Sequence, residues 1–540
     1  MTKKVFIVFL LVLSLSLTSF IPVVAQSEPR EGGTLNFPAP YQGSITSLDP
    51  AFSNRNQSTL VFRTIFDTLV EIDPTSLEIE PGVAKSWDVS KDGLTYTFHL
   101  REGVKFHNGS EVTASDVKYT FERLVDPDVA SVAPDLFKFV EGSEAFTNGE
   151  ADEVSGIEVL DDYTLEIRLT RVQPNFLYNV AGGSNYNSGI VPKEVVEEVG
   201  DNFTNNPIGC GAFEFVKWNR GSSVVVEKFD DYYGKGPYLD KIVFKVMPEA
   251  PSRVAAFKSN QLDFDIVYPA QYKQYKNNEK YDDLMVETAE LWTRNVTFNM
   301  KREKLQDVRI RRAFNYALDE ELIIDKVLNG KAYPASGWLP SSSPAFDPDL
   351  EPYGHNPEKA RELMNEAGYS QENPLELTIL GGDHPAWGTP MVETIKPFLD
   401  EVGFKIKPVL LDGATFERRV LNGDFEAFIW SNGGEITSLN YMKVFWSEVP
   451  RQAGNFSGYS NPEFDKLIEQ AMKETNFAER KKLIQKADKM IKEDAPVWFF
   501  NYNKAVGIHQ PWVHGVKAVP QDMVYQPLSE VWVDEDSPRS

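Results

Sequence analysis

The sequence predicts an α/β protein built from mixed β-sheets and more than one hydrophobic core. The chain has 540 residues, a length that corresponds to roughly two to four core units. Apolar residues make up 41% of it and aromatic residues 12%, which is ample for cores of that number. In the C-terminal half, strand patterns alternate with helix patterns, and this alternation indicates parallel or mixed sheets.

The first residues have the pattern of a secretory signal. Lys3 and Lys4 precede an apolar run from Val5 to Phe20, and small residues end at Ala25, after which we expect cleavage. A retained membrane anchor is the alternative, but the run is short for a spanning helix. The cleavage point has no cysteine, so a lipoprotein signal is not expected. We therefore expect residues 1–25 to be removed and the mature chain to be periplasmic or extracellular.

Charge and cysteine content narrow the possible partners. The formal net charge is −25, which argues against nucleic acid and against an anionic membrane surface. Cys210 is the single cysteine, so no internal disulfide can form and the fold depends on its cores. Because glycines flank it in a strand-rich stretch, we expect Cys210 to be a buried, unreactive thiol.

Elements of the N-terminal half follow from alternation, helical spacing and turn residues. Thr113 or Ser115 is placed to cap a helix whose apolar face includes Val117 and Phe121. The other predicted elements are a strand at 32–40, a helix at 56–70, a strand at 94–100, a hairpin turning at 161–162, three strands within 206–246 and a helix at 252–258.

The C-terminal half opens on a strand followed by a helix. Trp292 to Met300 alternates in the strand manner, and Asp307 is a good N-cap for the helical spacing that follows. Predicted helices lie at 307–328, 357–368, 390–402, 461–473 and 477–493, and predicted strands at 375–380, 404–411 and 495–502.

Several stretches of the chain resemble the sequence motifs of one protein family. They are SWDVSKDGLTYTFHLREGVKFHNGSEVTASDVKYTFERLVDP (86–127), NPIGCGAFEF (206–215), FNMKREKLQDVRIRRAFNYALD (298–319) and EKARELMNEAGY (358–369). They resemble, in the family's order, the extracytoplasmic solute-binding proteins of family 5, the oligopeptide, dipeptide and nickel type that serve ABC importers. The resemblance covers essentially the whole mature chain.

The resemblance implies a fold of the type II periplasmic-binding-protein kind. Such a fold has two lobes joined by a hinge and mixed sheets, here with an extra domain inserted in the first lobe. The division it implies is lobe I at 26–56, 188–291 and 496–540, the extra domain at 57–187, and lobe II at 292–495.

The chain departs from the family's pattern in two places. Cys210 and Ala212 stand where the family has Thr and Pro. In the stretch FIWSNGGEITSLNYMKVFW (428–446), peptide-binding members carry an acid that pairs with the peptide's α-amine, but this chain has Asn432-Gly433 where Ala-Asp is usual. Glu435 is a candidate substitute with looser geometry. A charged hydrogen bond contributes about 1.5–3 kcal/mol, so this loss weakens the case for an ordinary peptide ligand.

Candidate ligand-binding residues are aromatic and amide side chains near the expected cleft. Arg294 is the best candidate to anchor a carboxylate or phosphate, with a surface ion pair as the alternative. Taken singly, each aromatic side chain belongs more often to a core than to a ligand-binding surface. The candidates are Tyr186, Asn187, Tyr268, Trp292, Arg294, Trp387, Trp430, Asn432, Glu435, Asn440, Tyr441 and Trp446.

The resemblance implies a receptor that binds a solute without turnover. We expect it to capture a small peptide or peptide-like solute and deliver it to the permease subunits of an ABC importer. We expect the receptor to be a monomer. A receptor for short oligosaccharides is the alternative, because aromatic faces and amides suit neutral polar ligands. A secreted hydrolase is the second alternative, although the sequence has no nucleophile elbow, Walker loop or zinc motif. We expect no cofactor, no metal and no nucleic-acid partner.

Overall fold

The computed structural model describes residues 28–41, 45–382 and 388–540, so the predicted signal at 1–25 lies outside the described residues. The strands are β1 (Thr34–Ala39), β2 (Val70–Ile72), β3 (Ile79–Pro81), β4 (Ala84–Val89), β5 (Thr95–Leu100), β6 (Ile157–Asp161), β7 (Thr164–Arg168), β8 (Phe213–Asn219), β9 (Ser223–Lys228), β10 (Lys241–Val246), β11 (Phe264–Ile266), β12 (Met285–Phe298), β13 (Ala332–Pro334), β14 (Leu375–Gly381), β15 (Phe404–Leu410), β16 (Ala427–Gly433), β17 (Val497–His509), β18 (Val513–His514) and β19 (Trp532–Val533). The helices are α1 (Asn56–Ile65), α2 (Ala114–Val125), α3 (Ser143–Thr147), α4 (Phe176–Val180), α5 (Lys193–Val199), α6 (Ala250–Lys258), α7 (Pro269–Lys276), α8 (Glu279–Asp282), α9 (Val308–Ala317), α10 (Glu320–Val327), α11 (Pro357–Glu366), α12 (Thr389–Glu401), α13 (Gly413–Asn422), α14 (Ser438–Lys443), α15 (Pro462–Ala471) and α16 (Phe477–Asp494).

Three larger sheets organise the molecule. The first has the strand order β1-β10-β9-β8, with β1 and β10 parallel. The second, β4-β5-β7-β6, is antiparallel throughout. The third runs β11-β17-β12-β16-β14-β15, with β13 paired to β17, and it is mixed because β14 is parallel to both of its neighbours. The mixed α/β architecture predicted from the sequence is therefore confirmed.

Each sheet buries its own core. Phe37 of β1 and Phe62 of α1 belong to the core of the first sheet, and Phe98 of β5 and Phe121 of α2 to that of the second. The third sheet covers one core under α9 and another under α14 to α16. Burying an apolar side chain of this size contributes roughly 1.5–3 kcal/mol, so each core can hold its own sheet and helices together.

The helix cap predicted at Thr113 is confirmed. Thr113 caps α2, and the Asp116 carboxylate accepts a hydrogen bond from the Thr113 N–H at 3.0 Å.

The prediction of a single helix at 307–328 is wrong, because the chain forms α9 and α10 there. Asp319 breaks it: its carboxylate accepts the Leu322 N–H at 2.9 Å and caps a second helix.

The long strands β12 and β17 of the third sheet pass from the section of the sheet beside β11 to the section beside β16. Met285–Ala289 of β12 pairs with the end of β17, next to β11, whereas Thr293–Thr297 pairs with Val497–Tyr502 and lies next to β16. The passage lies between Ala289 and Thr293 in β12 and between Tyr502 and Lys504 in β17.

Candidate ligand-binding site

An irregularity in β12 marks the point where this strand passes between the two sections of the sheet. Between the paired stretches of β12 and β17, Glu290, Leu291 and Trp292 oppose one residue, Asn503. A bulge of this kind re-aims side chains. Leu291 packs into the core of the second sheet, whereas Glu290 and Trp292 line a cavity.

This hinge cavity, as we call it, has a volume of about 490 Å³. It is lined by β11, β12, β17 and the segment that precedes β19, so the two crossing strands form part of its wall. Its lining residues are Tyr41, Ile266, Val267, Tyr268, Pro269, Glu290, Trp292, Arg294, Leu328, Lys331, Asn503, Ala505, Val506, Gln521, Asp522 and Met523.

One acid of the hinge cavity is neutralised by the protein itself. The Glu290 carboxylate accepts a hydrogen bond from Asn503 Nδ2 at 3.0 Å and lies 3.9 Å from Lys331 Nζ. Lys331 is buried and donates to the Lys504 carbonyl. Burial lowers the pKa of Lys331, and the Glu290 carboxylate opposes that shift. Glu290 is therefore held in a local ion pair.

A second acid in the same cavity has a different environment. Asp522 accepts a hydrogen bond from the Tyr41 hydroxyl and another from the Val524 N–H, the latter at 3.2 Å. The pKa of Asp522 is raised to about 6, chiefly by burial and also by the charge of Glu290, against the lowering effects of these hydrogen bonds and of Arg63. The two acids therefore face a common space in which their charges repel.

A second cavity, the aromatic cavity, has a volume of about 550 Å³. Its main surface is a stack of Trp430 on Phe416, with ring centroids 5.6 Å apart and ring planes at 19°. Parallel aromatic faces can receive an aromatic or apolar group of a ligand, or the face of a sugar ring. The lining residues are Trp292, Arg294, Gly382, Gly388, Gly413, Phe416, Glu417, Ile429, Trp430 and Ser431.

Trp292 and Arg294 line both cavities and so form their common wall. Both side chains come from the same face of β12, and the Arg294 guanidinium carbon lies 5.7 Å from the centre of the Trp292 ring. Burial lowers the pKa of Arg294, while the Glu290 carboxylate opposes the shift. The two cavities thus adjoin at these side chains, and we call them together the cleft, with a charged end in the hinge cavity and an aromatic end in the aromatic cavity.

Four of the twelve predicted site residues line this cleft. Tyr268 belongs to the hinge cavity, Trp430 to the aromatic cavity, and Trp292 and Arg294 to both. Trp387 lies outside the described residues.

The residues predicted after β16 have other contacts. Tyr441 is buried, and its hydroxyl donates to the Asn432 carbonyl at 2.6 Å, while the Asn432 side chain accepts from Asn295. Asn440 accepts from Asn175 Nδ2 at 3.3 Å. Trp446 packs beside the core under α14 to α16. Glu435 is exposed and lines neither cavity.

Tyr186 and Asn187 lie away from the cleft. The Tyr186 hydroxyl donates to the Glu71 carboxylate at 2.9 Å. The Asn187 amide donates to the carbonyls of Pro50 and Ser53 at 2.6 and 3.0 Å. Their polar groups are used inside the predicted first lobe.

Most residues at the charged end of the cleft were not predicted from the sequence. Glu290 could have been found, because it precedes Trp292 by two residues and shares its strand face. Tyr41, Lys331, Asn503 and Asp522 come from four distant segments, and only the fold brings them together.

The surroundings of Gly433 give a steric reason why this position lacks the acid of peptide-binding members. A Cβ on Gly433 would lie 2.2 Å from the Leu291 carbonyl oxygen and 2.7 Å from the Trp292 indole. Gly433 pairs with Trp292 across β12 and β16. The bulge and the Trp292 ring thus occupy the space that a side chain at position 433 would need.

Metal-binding and membrane-spanning features bear on other classes of function. In the ranges that the structure describes, no group of three or more His, Cys, Asp or Glu is arranged to hold a metal ion. No helix in those ranges is long and apolar enough to cross a membrane.

Comparison with known proteins identifies the family. The model of the bacterial extracellular solute-binding proteins, family 5, matches residues 78–453. The glutathione-binding protein GsiB of Pectobacterium atrosepticum is 28% identical over 499 residues, covering 89% of this chain and 91% of that protein. This chain belongs to family 5 of the bacterial extracellular solute-binding proteins, which confirms the resemblance seen in the sequence.

Solved structures show the same fold. The unliganded open form of the periplasmic murein tripeptide-binding protein MppA superposes with a TM-score of 0.83 at 24% identity, covering 94% of this chain and 98% of that one. The ABC transporter-associated periplasmic binding protein DppA from Helicobacter pylori, in complex with the peptide STSA, gives 0.69 at 26% identity, covering 94% and 99%. The two-lobed fold of these receptors is therefore that of this chain.

Proposed function

We propose that the chain is an extracytoplasmic receptor that captures a small peptide or peptide-like solute and delivers it to the permease of an ABC importer. The observation that carries the proposal is the cleft formed by the hinge and aromatic cavities beside the two crossing strands. Volumes of about 490 and 550 Å³ fall in the range of small-molecule sites. Relatives that bind glutathione and the peptide STSA support a peptide ligand.

The proposal includes the parts of the receptor that the sequence predicts. Residues 1–25 are a signal that is removed, and the mature protein acts as a monomer that docks on permease subunits. Lobe I, with its inserted domain, and lobe II close over the ligand by bending at β12 and β17. Tyr268, Trp292, Arg294 and Trp430 contact the ligand, because these four predicted residues line the cleft.

Short oligosaccharides are a second candidate, favoured by the aromatic cavity. The stacked Trp430 and Phe416 offer a face to a sugar ring, with ring centroids 5.6 Å apart. The charged end argues for peptides instead, because Glu290, Lys331, Arg294 and Asp522 would not be needed to bind a neutral ligand. The secreted hydrolase has no support in this family of binding proteins.

Native mass spectrometry of protein purified without refolding, followed by titration calorimetry, tests the proposal. We expect a co-purified peptide mass, and binding of di- and tripeptides in preference to disaccharides. Trp430→Ala lowers affinity for either class by removing a cleft surface, whereas Glu435→Gln leaves it unchanged. Tight binding of disaccharides without binding of any peptide would replace the proposal with its alternative.

A further inference from the structure

Asp522 is the acid of the hinge cavity that the protein leaves without an ion pair. In the described part of the chain, its hydrogen-bond partners are the Tyr41 hydroxyl and the Val524 N–H, and Arg63 acts on it only at longer range. Glu290, by contrast, has both Asn503 and Lys331 beside it. A carboxylate removed from water is stable only when a cation or several donors compensate it.

Lobe II cannot supply an acid at the corresponding end of β16. Position 433 accepts only glycine, because the Leu291 carbonyl and Trp292 lie where its Cβ would be. Glu435 follows two residues later, but it is exposed and outside the cleft. The unpaired acid of the hinge cavity therefore comes from the C-terminal segment of lobe I.

We infer that Asp522 binds the protonated amine of the ligand, in a site that Tyr41 and Tyr268 complete. This inference rests on the proposed function and narrows it to solutes that carry a free ammonium group. The Tyr41 hydroxyl holds the carboxylate in place, and the ring of Tyr268 lines the same cavity. A charged hydrogen bond to an ammonium ion compensates the Asp522 carboxylate and offsets its repulsion from Glu290.

Binding of an ammonium ion by this site depends on pH. The groups that face Asp522 are Tyr41, Tyr268, Tyr525, Glu290 and Arg63, and burial raises the pKa of the three tyrosines, which therefore stay neutral near pH 7. Since the bound cation requires ionised Asp522, affinity falls as the pH drops below about 6. Affinity also falls above about pH 8, where the peptide's α-ammonium group loses its proton.

Titration calorimetry with trialanine and N-acetyl-trialanine tests the inference. On the wild type, acetylation lowers affinity at least tenfold. Asp522→Asn lowers the affinity for trialanine by a similar factor and abolishes the difference between the two peptides. Glu435→Gln, the matched acid-to-amide change outside the cleft, leaves that difference intact. Thermal unfolding of each variant shows that it is folded.

Three results would count against this account, and they are distinguishable. If Asp522→Asn is folded and still prefers the free amine, the assignment of Asp522 is wrong. If Glu290→Gln abolishes the preference instead, the amine site belongs to Glu290. If neither trialanine nor its acetylated form binds the wild type, while disaccharides do, the proposed function itself fails.

Discussion

Cys210 is a residue whose reactivity follows from its position. The thiol is buried in the core of the second sheet, and burial raises its pKa well above the usual range. Because the thiolate is the reactive species, we expect no labelling of the native protein by a thiol reagent within minutes, and complete labelling after denaturation. Rapid labelling without denaturant would show that the core around Cys210 opens.

Asp67 is expected to destabilise the fold at alkaline pH. Burial, and then the charge of the neighbouring Glu71, raises the pKa of Asp67 to about 8. The unfolded chain releases this proton near pH 4, at roughly the ordinary value for Asp. The folded protein therefore binds more protons between pH 4 and pH 8, and its stability falls as the pH rises through that window.

Asp67→Asn removes this titration while keeping the side chain's shape. We expect it to stabilise the fold at pH 8.5 by on the order of 1–3 kcal/mol, the usual cost of a poorly compensated buried polar group. The gain is smaller at pH 5. Thermal unfolding at the two pH values measures it, with Asp128→Asn, an exposed acid, as the control. A loss of stability at both values would mean that the charged form is favoured in the folded state.

Properties that depend on neighbouring residues in the sequence were predictable. Contacts between residues that only the fold brings together were not. The buried state of Cys210 and the cap at Thr113 follow from neighbouring residues, and the structure confirms both. Trp292 and Arg294 were found because an aromatic and a cationic side chain stand near the expected cleft, in the strand that opens the C-terminal half. Asp522 was not found, because its role depends on Tyr41, which lies 481 residues away along the chain.

The bulge of β12 and its contact with β16 determine the shape of the cleft at the scale of elements. Gly433→Ala would place a Cβ 2.2 Å from the Leu291 carbonyl oxygen, so the two strands must separate. We expect a loss of about 1–3 kcal/mol in stability, as for other overpacked sites, and a lower ligand affinity because Trp292 shifts.

Gly382→Ala is the matched control for this change. The nearest heavy atom to its Cβ is 3.8 Å away, which is an ordinary contact. Denaturant unfolding of the two variants should separate them clearly. Equal stability of Gly433→Ala and the wild type would mean that β12 and β16 can move apart freely, and the steric reason given for the missing acid would then be wrong.

Element boundaries show where sequence patterns reach their limit. Alternation predicted the C-terminal part of β12, but the strand begins at Met285, because its first half pairs with β17. The helix predicted at 307–328 divides because a capping side chain at Asp319 outweighs continuous apolar spacing. Pairing partners and local caps decide such ends, and neither is visible in hydrophobic periodicity.

At the scale of the whole molecule, the account requires that ligand binding close the cleft. β12 and β17 are the strands that connect the two sections of the third sheet, and the cleft lies beside their irregular pairing. A ligand that binds only the folded, closed form stabilises it by about 2.7 kcal/mol at a hundredfold excess over its dissociation constant.

Small-angle X-ray scattering with and without a saturating peptide tests whether the two lobes close over the ligand. The peptide is one that calorimetry has shown to bind, and its weakly bound N-acetyl form is the control. We expect the radius of gyration to fall when the free-amine peptide is added and to stay constant with the acetylated one. Saturation by the peptide with an unchanged radius of gyration would contradict a receptor that closes its two lobes over its ligand.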